Sequence, residues 1–142
     1  MTSALASFGT LLKLGNGVTT TAETFTTIAE VKDISGPGMS LNTADVTAHD
    51  GSGWREHVAT LLDAGEVSFD VNYVPTNATH NNTAGLIKMM TSRALRNYQL
   101  VFPGPTTWTF AAFVTGFEPG SPVDGALTAS VSMRISGQPT LV

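Results

Sequence analysis

The sequence predicts a mainly β protein: an antiparallel β-sandwich or barrel of about seven strands, with one flanking α-helix and a long loop between early strands. Three segments alternate apolar and polar residues with the period of two that is typical of a β-strand. The 142 residues also include 21 threonines and 11 serines, and β-branched hydroxyl residues suit the half-buried surface of a sheet. We expect residues 1–142 to form one domain, because this length suffices for one hydrophobic core.

The three alternating segments cover residues 66–74, 107–117 and 127–135. In 66–74 and 127–135 one face is apolar and the other is polar or charged, which predicts strands with one solvated face. In 107–117 both faces are largely apolar, which predicts a strand that is covered on both sides.

Four weaker segments complete the predicted strands, at residues 8–14, 28–34, 39–46 and 97–102. The first two end at the breakers Gly-Asn-Gly and Gly-Pro-Gly. The apolar residues of 25–34 also recur at a three-residue spacing that would fit a helix. A strand is favoured there because the neighbouring threonines are poor helix formers.

One helix is predicted over residues 83–96. Asn81 and Asn82 precede it and are good N-cap residues. Arg93 and Arg96 would lie in its last turn, where positive charge interacts favourably with the helix dipole. The side chains expected to face the core are Leu86, Met89, Met90 and Leu95.

Charged residues are scarce and predominantly acidic. Only 13% of residues are charged, against roughly 25% in an average domain, and 7 basic against 11 acidic residues give a net charge of −4. This balance argues against a nucleic-acid-binding protein, whose affinity comes from Lys and Arg on phosphates. No cysteine is present, so disulfides, zinc–thiolate sites and thiol nucleophiles are excluded. The longest apolar run, residues 110–114, is too short to cross a membrane as a helix, so no membrane insertion is expected.

A long polar segment, about residues 43–64, is expected to be a mobile loop, because a stretch of this length without regular structure is usually functional or disordered. Its centre reads HDGSGWREH over residues 49–57. Trp54 lies next to a glycine at the predicted loop tip, where leaving an indole in water is unfavourable, so we expect the loop to contact a partner.

Candidate catalytic and metal-binding groups do not form an established motif. His49, Asp50, Glu56 and His57 are suitable metal ligands by type, but their spacing matches no known site. Ser52 lies in Gly-Ser-Gly and not in the Gly-x-Ser-x-Gly sequence of a hydrolase nucleophile. A basic patch of Lys88, Arg93 and Arg96 on the helix is more simply a solvated face. We therefore predict no enzyme activity, no metal and no cofactor.

Unprotected strand edges suggest that copies of the chain cover one another. Edge strands are usually guarded by lysine, proline or charge, yet the segment 127–135 carries only Arg134 as a charged residue. Head-to-tail contacts that close form rings, and a second unsatisfied surface makes such rings stack.

An ordered set of motifs over about residues 7–141 resembles the major tail (tail-tube) proteins of bacteriophages with long, non-contractile tails. No single motif is diagnostic, and the resemblance rests on their order and spacing. The motifs are FTTIAEV (25–31), ISGPG (34–38), DVT (45–47), HD (49–50), GWRE (53–56), DAGEVSF (63–69), LRNYQLVFP (95–103), the strand 107–117, GFEP (116–119) and LTASV (127–131).

The resemblance implies a virion protein, assembled in the host cytoplasm, that forms hexameric rings stacked along a tape-measure protein between a tail-tip or baseplate complex and a tail terminator. Inner strands would join across subunits into a channel wall, and DNA would pass through without specific binding. The family's long loop, which orders on stacking, maps onto about residues 43–64. Because the sequence ends at Val142, no C-terminal immunoglobulin-like domain is expected.

We hypothesise that the loop residues form the ring-stacking contact, with Trp54 and Arg55 as its anchors. The full candidate set is His49, Asp50, Trp54, Arg55 and Glu56.

Three other functions remain open from the sequence. A tube protein of a contractile tail, a gene-transfer particle or a secretion machine would share this fold. A β-sandwich that binds cell-surface carbohydrate would be a stable monomer with a groove of exposed aromatic residues. A small metal-dependent or hydrolytic enzyme would use His49, Asp50 and His57.

Overall fold

The computed structural model describes residues 3–17, 23–104 and 106–141, so Val142 lies outside the described residues. This part of the chain forms ten strands and one short helix. In chain order they are β1 (Leu11–Gly15), β2 (Phe25–Thr27), β3 (Val31–Ser35), β4 (Ser40–Asp45), β5 (His57–Asp63), β6 (Glu66–Asn72), α1 (Leu86–Thr91), β7 (Arg96–Val101), β8 (Thr107–Gly120), β9 (Thr128–Ile135) and β10 (Thr140–Leu141).

Eight of the strands form one antiparallel sheet, in the order β2-β1-β7-β8-β9-β6-β3, with β10 also paired to β8. The 14-residue strand β8 pairs with β7 through residues 107–112 and with β9 through residues 112–120. It therefore belongs to both halves of the sheet, and the register shifts between Val114 and Gly116. The predicted mainly β, antiparallel fold with one helix is confirmed.

The hydrophobic core lies between the two halves of this sheet. Strands β1, β7 and the first half of β8 supply one side, and β6, β9 and the second half of β8 supply the other. Alternate residues of each strand point inward, as the period of two requires. The largest fully buried side chains are Tyr98 and Phe110, whose rings stack at a centroid distance of 6.1 Å.

The predicted strand segments correspond to β1, β3, β4, β6, β7, β8 and β9, with boundaries shifted by a few residues. The ambiguous segment 25–34 forms two strands, β2 and β3, as the threonine content favoured, and not a helix. The break between them is made by Glu30, which adopts a left-handed backbone with φ of 60°. Phe8, expected to begin the first strand, is almost fully exposed and precedes β1.

The helix is shorter than predicted because residues 81–85 form hydrogen-bonded turns before it and the left-handed Arg93 stops it from continuing. Asn81 Oδ1 accepts hydrogen bonds from the backbone N–H of residues 83, 84 and 85 at 2.9–3.2 Å, which holds turns where the first helical residues were expected. Arg93 ends the helix with a φ of 57°, so Leu95 and Arg96 are not helical and Leu95 is half exposed. Leu86 and Met89 are buried as predicted. No helix of the described residues is long and apolar enough to span a membrane.

The segment 43–64 contains more regular structure than expected. It includes the end of β4 and all of β5, which form a separate two-stranded antiparallel sheet, the β4–β5 hairpin. The Val, Thr and Leu residues of β5 are compatible with a strand, but its apolar residues occur in consecutive pairs and do not alternate with polar ones. The long loop between early strands is therefore residues 46–56.

Two glycines set the position where the β4–β5 hairpin leaves the main sheet. Gly36 and Gly65 have φ of 102° and 78°, and a Cβ on either would overlap a backbone oxygen, of Glu66 and of Gly38 respectively. The two chain segments can therefore cross closely only because neither residue has a side chain.

Candidate assembly site

The β4–β5 hairpin exposes apolar side chains on both of its faces. Leu61 and Leu62 are 76% and 81% exposed, and because they are consecutive in β5 they point to opposite faces. Leu62 lies opposite Leu41 of β4, which is also exposed. An isolated two-stranded hairpin is marginally stable in water. Apolar residues on both faces therefore favour a neighbour on each side.

Hydrogen bonds among residues 45–47 and 56 close the base of the loop, where it leaves the β4–β5 hairpin. We call this base the neck. The carboxylate oxygen Oδ1 of Asp45 accepts hydrogen bonds from the Thr47 hydroxyl at 2.6 Å and from the Thr47 backbone N–H at 2.9 Å. Hydrogen bonds from Thr47, the side-chain bond first, lower the pKa of Asp45 from its ordinary value. The hydroxyl of Thr47 also accepts a bond from the Glu56 N–H at 2.8 Å, and Val46 N–H donates to the Glu56 carbonyl at 2.9 Å.

The predicted site residues occupy this neck and the loop tip. Glu56 closes the neck through its backbone, and the Arg55 guanidinium lies 3.7 Å from Asp45, with both side chains well exposed. His49 and Asp50 lie in an exposed tight turn closed by Gly51 N–H and the Ala48 carbonyl. Trp54 follows Gly53, which has a φ of 91°, and its side chain is 79% exposed. The tip therefore presents an indole to the surroundings.

The candidate chemical sites are not assembled by the fold. Among the residues that the structure describes, no three or more His, Cys, Asp or Glu side chains form a group that could hold a metal ion. His57 begins β5 opposite Asp45, whereas His49 lies in the loop. The predicted basic patch on the helix is not formed, because Arg93 and Arg96 lie outside α1. Lys88 is in α1, Arg93 follows it, and Arg96 begins β7.

A surface that the sequence analysis did not identify extends across β6, β9 and the second half of β8. We call it the polar face; its residues are glycines or carry hydroxyl, amide or charged side chains, except for Phe113. The register places its residues in four rows across the strands: Phe113–Arg134–Glu66, Gly116–Ser132–Ser68, Glu118–Ser130–Asp70 and Gly120–Thr128–Asn72. Each strand's alternation was visible in the sequence, but the pairing that aligns these rows is a tertiary feature.

Hydrogen bonds and ion pairs link neighbouring strands on the polar face. Ser130 donates to Asp70 at 3.0 Å. Arg134 forms ion pairs with Glu66 at 3.4 Å and with Asp63, at the end of β5, at 3.1 Å. Since β6, β8 and β9 contain no other Lys, Arg or His, two carboxylates neutralise the one basic residue of these strands.

The half of the sheet that carries the polar face has two open edges. Residues 113–120 of β8 pair with β9 on one side, and no other strand of the described chain pairs with their second side. At the opposite end β3 pairs with β6 alone. Pro119 lies in the open part of β8, which suits an edge because proline lacks a backbone N–H.

Open sheet edges and a detached apolar hairpin are features of a subunit that assembles with other chains. The family model described as lambda phage tail tube protein, TTP, matches residues 14–142. The chain belongs to the lambda phage tail tube protein family. As a tail tube protein it is a structural component of a virion tail, as the sequence motifs predicted. No curated protein is significantly similar to it in sequence.

Solved structures of phage-like particles share the tail tube fold. A chain of the virion of a native gene transfer agent particle aligns with a TM-score of 0.77 and 16% identity, covering 98% of this chain and 99% of that one. A chain in the tail of an empty gene transfer agent particle with C6 symmetry gives 0.77 and 18%, with coverages of 98% and 99%. A chain of the sheath/tube terminator of an extracellular contractile injection system gives 0.71 and 11%, with coverages of 98% and 96%.

Proposed function

We propose that six copies of this tail tube protein form a ring, that rings stack into a tube, and that the tube conducts DNA. The tube-like particle of C6 symmetry among the structural neighbours supports the hexamer. Residues 1–142 would act as one tube domain whose segment 43–64 is the assembly element. The role is structural, with no reaction catalysed.

The observation that carries this proposal is the exposed apolar surface of the β4–β5 hairpin. Burying one leucine side chain contributes roughly 1.5–3 kcal/mol. Leu61 and Leu62 are both largely exposed in the isolated subunit, on opposite faces of a hairpin that pairs with no other strand of the described chain. A partner copy on each side would remove both from water, which favours insertion of the hairpin between subunits.

The loop at residues 46–56 is proposed to contact the next ring and to become ordered there. Trp54 supplies an aromatic anchor, a residue type that often dominates binding energy at interfaces. Arg55 lies beside Asp45 in an exposed ion pair and would supply the charged anchor next to Trp54. His49, Asp50 and Glu56 would form the polar rim of this contact.

The open sheet edges supply the contact within a ring. The free edge of β8 near residues 113–118 can pair with the free edge of β3 in the next copy, because unpaired strand edges are templates for addition of a strand. This contact is head-to-tail, and it forms a closed ring when the rotation between copies is a simple fraction of a turn.

The remaining partners are proposed from the resemblance to phage tail tubes. They are a tape-measure protein inside the growing tube, a tail-tip or baseplate complex at one end and a tail terminator at the other. The neighbours include a gene transfer agent tail and a contractile injection system, so a tube in either kind of particle is the second candidate. Co-purification of a contractile sheath protein with native tails would distinguish the two.

Negative-stain electron microscopy and light scattering test the proposal, on purified protein at low and high concentration, with the tail-tip complex added as initiator. Wild-type protein is expected to form rings and tubes with a central channel. The variants Leu62→Ser and Trp54→Ala are expected to fold normally by circular dichroism but not to lengthen into tubes.

Val123→Ser is the matched control, because Val123 is fully exposed yet lies outside the hairpin. Its tube yield should equal that of wild type. Normal tubes from Leu62→Ser would contradict the role of the hairpin, and normal tubes from Trp54→Ala would contradict the role of the loop. A wild-type protein that forms neither rings nor tubes with its initiator would contradict the tube function itself.

A further inference from the structure

The polar face has the composition of a channel wall. Its four rows hold glycine, serine, threonine, asparagine, carboxylates and Arg134, and Phe113 is their only large apolar side chain. The outward residues of β1 and β7 combine the apolar Leu11 and Val101 with Lys13, Asn97 and Gln99. Short polar side chains form a smooth hydrated surface, and carboxylates repel phosphate.

Arg134, the only basic residue of β6, β8 and β9, is neutralised by its position. Arg134 is about half exposed and forms ion pairs with Asp63 at 3.1 Å and Glu66 at 3.4 Å. A free guanidinium binds phosphate oxygens through two parallel hydrogen bonds, which makes arginine the residue type best suited to hold DNA. In a hexamer, six free guanidinium groups at one level would form a ring of phosphate-binding sites.

We propose that the polar face lines the channel and that Asp63 and Glu66 mask Arg134, so that the phosphates of DNA pass without being retained. This inference rests on the proposed tube function. It assigns the carboxylate pair a role in DNA passage, beyond joining the end of β5 to the main sheet.

The first test measures retention of DNA by assembled tubes. Tubes of wild type and of the double variant Asp63→Asn/Glu66→Gln are sedimented with a short fluorescent DNA duplex at low and at high salt. We expect the double variant to retain about tenfold more DNA than wild type at low salt and to lose it at high salt, because phosphate contacts by arginine are salt-dependent. Addition of Arg134→Gln to the double variant should abolish the retention.

The matched control is Asp70→Asn/Glu118→Gln, which removes two carboxylates from the same face but leaves the Arg134 ion pairs intact. It should retain no more DNA than wild type. Equal retention by the control would show that net charge, and not unmasking of Arg134, is responsible. No gain in the double variant, or retention that survives Arg134→Gln, would also overturn the inference.

If the charge variants do not assemble, a labelling experiment tests whether the polar face lines the channel. The chain has no cysteine, so Ser68→Cys, at the exposed centre of the polar face, introduces a unique label site. On assembly, its reaction with a large maleimide–polymer should be blocked while a small maleimide still reacts. Unchanged labelling by the large reagent in intact tubes would overturn the channel assignment. Failure of the tube function would be evident earlier, as wild-type protein without tubes in the microscope.

Discussion

Removing the hydroxyl group of Tyr98 should stabilise the folded subunit. Tyr98 is completely buried, and among the described residues its hydroxyl has no hydrogen-bond partner. A buried polar group without a partner costs about 1–3 kcal/mol. Tyr98→Phe keeps the ring that stacks on Phe110 and removes the unsatisfied group. We expect an increase of about 1 kcal/mol in the free energy of unfolding, or about 2–4 °C in Tm for a chain of this size.

The same substitution has a pH signature with a definite sign. Burial raises the pKa of Tyr98 far above its usual range, against a smaller opposing effect of Arg96. Below about pH 10 the residue is neutral in the folded and the unfolded chain, so its ionisation does not affect stability. Above that pH only the unfolded chain ionises, and wild type loses about 1.4 kcal/mol per pH unit. The advantage of Tyr98→Phe should therefore grow between pH 9 and pH 11.

Urea unfolding of dilute, unassembled subunits, followed by circular dichroism, measures both effects. Tyr73→Phe is the matched control, since Tyr73 is only half-buried and loses the same hydroxyl group. Its midpoint should change little. A loss of about 1 kcal/mol or more in Tyr98→Phe would refute the reasoning, because it would mean that the hydroxyl is well hydrogen-bonded. A difference from wild type that stays constant from pH 9 to pH 11 would refute the ionisation argument.

Two further substitutions test local networks. His80 is fully buried, with its Nδ1 accepting from the Val74 N–H at 3.1 Å and its Nε2 therefore donating to the Ala29 carbonyl at 2.7 Å. His80→Phe should lower the free energy of unfolding by about 2–4 kcal/mol, because two backbone groups lose their partners, and a loss under about 1 kcal/mol in urea unfolding would count against it. Thr47→Val should raise the pKa of Asp45 toward its ordinary value of 3.8. In wild type the Thr47–Asp45 hydrogen bonds stabilise the neck above pH 3.8, and this stabilisation is lost as the pH falls through the lowered pKa of Asp45. An Asp45 titration by NMR that is the same in Thr47→Val as in wild type would show that Thr47 does not lower this pKa.

Strands with one buried face were predictable because their alternation is a local property of the sequence. Residues 66–74 and 127–135 each alternate cleanly and correspond to β6 and β9. The extent of the helix was less predictable, because Asn81 and the left-handed Arg93 divert residues that have adequate helix propensity. Strand β5 was missed since its exposed leucines do not face a core within the subunit.

Part of the candidate site was likewise predictable from the sequence, and part was not. The exposed tryptophan at the loop tip was predictable from Trp54 and its glycine neighbours, and the structure places it there. The polar face was not predictable, because Asp70, Glu118 and Ser130 come from three different strands and form one row only through strand register. Sequence patterning therefore indicates which way a side chain faces, while register determines which charges meet.

The two kinds of exposed surface on this subunit have opposite consequences for assembly. The β4–β5 hairpin is apolar and favours contact, whereas the polar face is acidic and disfavours contact with itself and with phosphate. The two surfaces adjoin, since Arg134 of the polar face donates a hydrogen bond to Asp63, the last residue of the hairpin. Insertion of the hairpin between neighbours would therefore also fix the carboxylate beside Arg134. With the polar face lining the channel, assembly would hold in place an ion pair that the separate subunit already contains.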